Sequence, residues 1–213
     1  MSMDTHAFTA YESNIRSYCR SFPVVFQKAK GAYLFDEEGR RYIDFFAGAG
    51  ALNYGHNHDF IKEKIIQHIQ NDFVMHALDM YTVAKREFLN RFHDTILGPR
   101  NLNFKVQFTG PTGTNAVEAA LKLARKVTGR RGVFAFQGGF HGMSLGALAC
   151  TGNKYNRNGA AVDLPNVTFM PYPHGFTASF DTIEYMDYVL NDENSGIETP
   201  AAIILETIQA EGG

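Results

Sequence analysis

The sequence is poor in the features that would place it in a membrane or on a nucleic acid. It has no long apolar run; its densest aliphatic stretch, residues 201–205, is far shorter than the roughly 20 residues a membrane helix needs. The first 18 residues are polar and mixed in charge, without the apolar core of a signal peptide. Neither charge sign is in excess. A formal net charge of -2 with 20% charged residues leaves no clustered basic footprint for nucleic acid and no polybasic patch for a lipid surface. Cysteine is scarce: Cys19 and Cys150 lie far apart, in no metal or redox spacing, and read as reduced thiols of a cytoplasmic protein. The histidines His56, His58, His76, His141 and His174 lack the H-x-x-x-H spacing that sets two ligands on one helix face, so no metal site is expected. Internal repeats, linkers and low-complexity tracts are also missing.

What is present is the rhythm of an α/β fold, on 213 residues that are 45% hydrophobic and long enough for one sizeable core. Residues 31–46 read as a β-hairpin around the turn Asp36-Glu37-Glu38-Gly39. A Gly-rich loop, Gly48-Ala49-Gly50, precedes Asn53-Tyr54-Gly55-His56-Asn57-His58. Two helical patterns follow. One sets Ile61, Ile65 and Ile69 on a single face, and the other runs over 83–97 to a stop at Gly98-Pro99. Strand candidates at 106–108, 133–136, 167–170 and 201–205 then alternate with helical patterns at 114–127, 144–150 and 182–190. Continuous apolar strands between amphipathic helices imply a mostly parallel sheet covered on both faces. A sheet is not expected to end on a buried-type strand, so the sequence, closing on Glu211-Gly212-Gly213, is expected to be the N-terminal part of a longer protein.

Three segments carry chemistry. Thr109-Gly110-Pro111-Thr112-Gly113-Thr114-Asn115 joins a strand to a helix. A helix N-terminus offers unpaired N–H groups and a positive dipole end, which suit a phosphate. Thr112 and Thr114 add hydroxyls, and Asn115 and Glu118 have capping-box spacing. A capped helix without a ligand would look the same. Gln137-Gly138-Gly139-Phe140-His141-Gly142 offers an aromatic ring and an imidazole in a flexible turn, but without dinucleotide G-x-G-x-x-G spacing; a tight turn with Phe140 in the core reads equally well. Glu206 follows an apolar strand, at the edge where open parallel sheets bind ligands, with Glu211 five residues on; both acids could also be solvated loop residues.

In this order and spacing the segments resemble class III aminotransferases, fold-type I pyridoxal-phosphate enzymes. The resemblance rests on 31–39 with Tyr42-Ile43-Asp44, on Gly55-His56-Asn57-His58, on 112–120, on Phe140-His141-Gly142 and on 206–213. Residues 20–23, 47–50, 52–58, 76–80 and 110–116 look like the subgroup that aminates aspartate 4-semialdehyde to 2,4-diaminobutyrate in ectoine biosynthesis. Asp59 stands where the family usually has proline, and Ala210 where it usually has glycine or serine.

The resemblance implies an α/β fold: a mostly parallel sheet with helices on both faces, plus part of a small domain. Residues 1–58 would contribute to the small domain and the substrate mouth, and 59–213 would form the N-terminal portion of the large cofactor domain. Pyridoxal 5'-phosphate would lie on Thr112, Gly113 and Thr114, under Phe140 and beside His141, with Glu206 near its polar edge. Glu211, Tyr18, Arg20 and Gly50 would face substrate, Glu211 as a gate that pairs with an arginine expected beyond Gly213. The Schiff-base lysine is also expected after Gly213, so no catalytic lysine is assigned within the chain. Glutamate would donate its amino group and aspartate 4-semialdehyde would accept it, in a homodimer or higher homo-oligomer. Ornithine, 4-aminobutyrate or siderophore-pathway diaminobutyrate are the alternative substrates. A chain natural as it stands would instead be a non-catalytic phosphate-binding or assembly module.

Overall fold

Carboxylates organise the first strands. In the computed structural model, which describes residues 4–15, 18–173 and 180–212, the chain forms two compact units, Met1–Asn103 and Phe104–Gly213. In the first, β1 (Phe26–Lys30), β2 (Tyr33–Asp36) and β3 (Arg41–Ile43) make an antiparallel meander, so the expected hairpin gains a strand on its outer side. Gly31, at φ +57°, allows the tight link between β1 and β2. The β2–β3 turn closes on Asp36, whose buried carboxylate accepts from the N–H groups of Glu38 and Arg40, from Arg40 Nε at 2.7 Å and from the Tyr42 hydroxyl at 2.9 Å.

The third strand stops at Ile43 because Asp44 turns the chain. Its carboxylate accepts from the N–H groups of Phe46 and Ala47 and meets His56 Nε2 at 2.6 Å. Beyond it Ala47, Gly48, Ala49 and Gly50 all take positive φ, one turn of left-handed backbone. Gly55 is required by close approach: a Cβ there would lie 3.0 Å from the Gly31 backbone, which bonds to His56 in both directions.

Two longer helices complete the first unit. Helix α3 (Asp59–Gln70) follows two short helices, α1 (His6–Ala10) and α2 (Tyr18–Ser21), and its Ile61, Ile65 and Ile69 face is exposed. Helix α4 (Val83–Phe92), capped by the Thr82 hydroxyl on Lys85 N–H, continues as a π-turn over His93–Leu97 and a 3-10 turn over Gly98–Arg100. Pro99 lies inside that 3-10 turn, and the run ends at Asn101, in the left-handed region at φ +54°.

The second unit has the expected alternation. Helix α5 (Gly113–Thr128) leads to β4 (Val133–Phe136), α6 (Leu145–Cys150), α7 (Lys154–Asn158), β5 (Val167–Met170), α8 (Thr182–Asn191) and β6 (Ala202–Ile203). The strands are parallel in the order β5-β4-β6, with Phe134 opposite Thr168 and Ile203. Strand β4 is buried along its whole length, and its side chains divide by alternation. Phe134 and Phe136 pack with Met170, Met186 and Val189 on the α8 side; Val133 and Ala135 pack with Leu121 and Cys150 on the α5–α6 side.

The sheet departs from expectation at one edge. Residues 106–108 are not a strand: no described strand pairs with them. No helix among the described residues is long and apolar enough to cross a membrane.

Candidate active site

The C-terminal ends of the parallel strands carry the expected residues. The segment 137–142 leaves β4, and Glu206 follows β6, at one edge of the sheet. Glu206 ties the two together. Its Oε1 accepts from the Phe140 N–H at 2.8 Å and its Oε2 from the Ala210 N–H at 3.1 Å. The Tyr172 hydroxyl, after β5, donates to the carbonyls of Glu206 and Thr207, and Gln209 Nε2 donates to the Gln137 carbonyl at 2.8 Å. All three strand ends are thus laced into one rim.

Helix α5 approaches the same loop. The helix is capped by Thr112, whose Oγ1 accepts from Asn115 N–H at 3.3 Å. The Asn115–Glu118 spacing therefore does not act as a capping box; the Glu118 carboxylate accepts instead from the Ser144 hydroxyl and the Ala147 N–H. Gly113 and Thr114 lie in the first turn, where N–H groups have no partner inside the helix. No heavy atom lies within 4 Å of where a Gly113 Cβ would stand, so this backbone is open to approach. The Thr114 hydroxyl sits 2.5 Å from Ser144 Oγ and is engaged within the protein. Gly142, at φ +133°, has no room for a side chain: a Cβ would lie 2.7 Å from the Thr114 Cβ.

His141 stands at the junction. Its N–H donates to the Thr151 hydroxyl at 3.0 Å, while its Nε2 is buried and has no partner among the described residues. Burial lowers its pKa and Glu206 opposes that shift, leaving the imidazole below its ordinary value. A buried ring nitrogen and an open first-turn backbone, with an aromatic residue next in sequence to the imidazole, are groups that suit a phosphate-bearing aromatic ring. These residues fit pyridoxal phosphate.

The remaining expected residues fall into separate settings. Glu211 is exposed, in the turn after Glu206, and Gly213 lies outside the described residues, as does His174. Tyr18, Arg20 and Gly50 belong to the first unit. The Tyr18 ring lies 4.4 Å from that of Phe46, Arg20 Nη2 donates to the Asn14 carbonyl, and Gly50 has φ +86° in the left-handed turn. Sequence reasoning missed Glu118, Ser144 and Thr151, which join α5, α6 and the 137–142 loop by hydrogen bonds.

Comparison with known proteins follows the same line. Residues 16–213 match the family model for class III aminotransferases. The diaminobutyrate–2-oxoglutarate transaminase of Halalkalibacterium halodurans is 56% identical over 210 residues, 99% of this chain and 49% of the relative. That of Wolinella succinogenes is 57% identical over 206 residues, 97% of this chain and 48% of the relative. The chain thus spans about half the length of the curated relatives it matches. Among solved structures, the taurine:2-oxoglutarate aminotransferase of Bifidobacterium kashiwanohense, in complex with PLP and glutamate, superposes with a TM-score of 0.74 at 22% identity. The match covers 92% of this chain and 46% of that one.

Proposed function

We propose, for a chain that belongs to the class III aminotransferases, that the protein transfers an amino group between L-glutamate and L-aspartate 4-semialdehyde with pyridoxal 5'-phosphate, giving L-2,4-diaminobutyrate and 2-oxoglutarate. The observation that carries the cofactor reading is the meeting of the open α5 first turn with the Phe140–His141 loop at the ends of β4 and β6. The substrate reading is supported by relatives named for diaminobutyrate and 2-oxoglutarate, the product pair of this reaction. Bound pyridoxal phosphate supplies the electron sink for exchange at the amino carbon.

The chain's own residues then divide the work. The N–H groups of Gly113 and Thr114 and the Thr112 hydroxyl bind the phosphate. Phe140 covers the ring, His141 presents a neutral ring nitrogen at its side, and Glu206 holds the Phe140 backbone in place. Residues 1–58 contribute to a small domain and 59–213 to the cofactor domain, in a homodimer or larger homo-oligomer in which Tyr18, Arg20 and Gly50 line the substrate mouth.

Glu211 is the selector between amino donors. Glutamate brings an α-carboxylate next to its reacting amine, and diaminobutyrate reacting at its far amine does not. A fixed arginine left unpaired in the second case would cost about 3–5 kcal/mol, and an exposed carboxylate that pairs with it and swings aside removes that conflict. The test measures the two half-reactions separately by single-turnover absorbance in the full-length protein. Wild type should react with both glutamate and diaminobutyrate, and faster with diaminobutyrate than with ornithine or 4-aminobutyrate. Glu211→Ala should keep the glutamate half-reaction and slow the diaminobutyrate one by about 10-fold or more. Equal slowing of both would remove the selector, and a preference for ornithine or 4-aminobutyrate would replace the substrate assignment.

A further inference from the structure

Helix α6 is tied at both ends to the candidate site. At its start, the Ser144 hydroxyl donates to Glu118 Oε1 at 2.6 Å. With that proton committed, the Thr114 hydroxyl is the donor in its 2.5 Å bond to Ser144 Oγ, and it also accepts from the Ser144 N–H. Glu118 Oε1 accepts a second bond from the Ala147 N–H at 3.0 Å. At the far end of α6, Thr151 is fully buried; its hydroxyl accepts from the His141 N–H and lies 3.1 Å from the carbonyls of Gly142 and Ala147. One short helix therefore spans from the first turn of α5 to the imidazole segment, with polar side chains as its end fittings.

The packing leaves this arrangement little freedom. Gly142 presses so closely on Thr114 that it admits no Cβ, and a Cβ at Gly146 would displace the Glu118 carboxylate from its partners. A hydrogen-bonded chain within such tight packing fixes distances better than an exposed one, because each member's alternative is an unpaired polar group. The Thr114 hydroxyl also has its only proton aimed at Ser144. It cannot donate to a phosphate without breaking the chain, so the residue serves a phosphate through its backbone N–H.

We infer that Ser144 and Glu118 are positioning residues of the phosphate cradle: through the Thr114 hydroxyl they set the first turn of α5, and through α6 and Thr151 they set that turn against His141. Neither residue touches the cofactor. The inference rests on the proposed pyridoxal-phosphate reading and adds to it two residues whose effect is selective for the phosphate end of the ligand.

The experiment compares pyridoxal phosphate with pyridoxal, which lacks the phosphate, on the full-length protein by equilibrium dialysis, with melting of the ligand-free protein recorded in parallel. Ser144→Ala and Glu118→Gln should each weaken pyridoxal phosphate by about 10-fold or more while changing pyridoxal by less than about 2-fold. Ser144→Thr keeps the hydroxyl and should restore pyridoxal phosphate to within about 3-fold of wild type. Equal loss of both ligands, or no loss of either in Ser144→Ala, would overturn the inference. If the wild-type protein binds neither, the cofactor reading itself falls, which is a separate result from failure of the variants.

Discussion

Among the described residues, the fully buried large side chain of the first unit is an acid, Asp36; the largest of the second is Phe134, followed by Met170 and Val133. Among the described residues of the first unit Leu97 is the one buried apolar side chain, while α3 leaves Ile61, Ile65 and Ile69 exposed. The second unit closes apolar side chains over both faces of β4. The first keeps its order through hydrogen bonds to carboxylates: Asp36 across the meander and Asp44 at the left-handed turn. The two should therefore fail differently, one by loss of charge and the other by loss of volume.

The largest effect is expected from volume. Phe134→Ala should cost about 3–5 kcal/mol in chemical denaturation of the second unit, the transfer and cavity cost of a fully buried ring. A loss below about 1 kcal/mol would mean that β4 is not the centre of that core.

Acid is the sharper test of the contrast. The Asp36 carboxyl is pushed up by burial, but Arg40 and Tyr42 outweigh this and hold it below its ordinary value. The Ala47 N–H and then His56 hold that of Asp44 down. A carboxyl whose folded pKa is depressed stabilises above its unfolded value, about 3.9, and that contribution disappears as pH falls through the folded value. Hydrogen exchange of the Leu34, Phe35 and Tyr42 amides should accelerate as pH drops below about 4, before exchange in Phe134 and Ala135 does. Earlier loosening of β4 would erase the distinction.

The smallest effect belongs to the exposed face. Ile65, 54% exposed, should lose no more than about 0.5 kcal/mol on replacement by alanine. A loss several times larger would show that α3 buries this face in the protein's working assembly, measured by the same denaturation.

The same contrast governs what could be read from the sequence. Strands β4 and β5 and helices α5 and α8 were legible because burial on one or both faces imposes a period on apolar residues. Strand β1 was not, because Phe26-Gln-Lys-Ala-Lys is mostly exposed and carries no apolar alternation. Residues 106–108 have strand-like composition, but a strand also needs a ladder partner, which local sequence does not encode. At the site, the glycines and the strand-end acid Glu206 stood out by type and position. Glu118 did not, since a carboxylate opposite the apolar stripe of α5 reads as solvent-facing; its partners Ser144 and Ala147 lie 26 and 29 residues away.

The parallel pairing of β4 also sets an order of assembly. Its nearer neighbour starts at Val167 and the other at Ala202, against Val133, so no edge of this apolar strand can be satisfied by adjacent sequence. On the ribosome, Val-Phe-Ala-Phe emerges well before either partner, at about 5–20 residues per second. Until Val167–Met170 and then Ala202–Ile203 have been synthesised, the most apolar strand of the unit is an unpaired template for association with other chains. The central place of β4 in the finished sheet is thus also the nascent chain's period of greatest exposure to aggregation, and to the chaperones that guard against it.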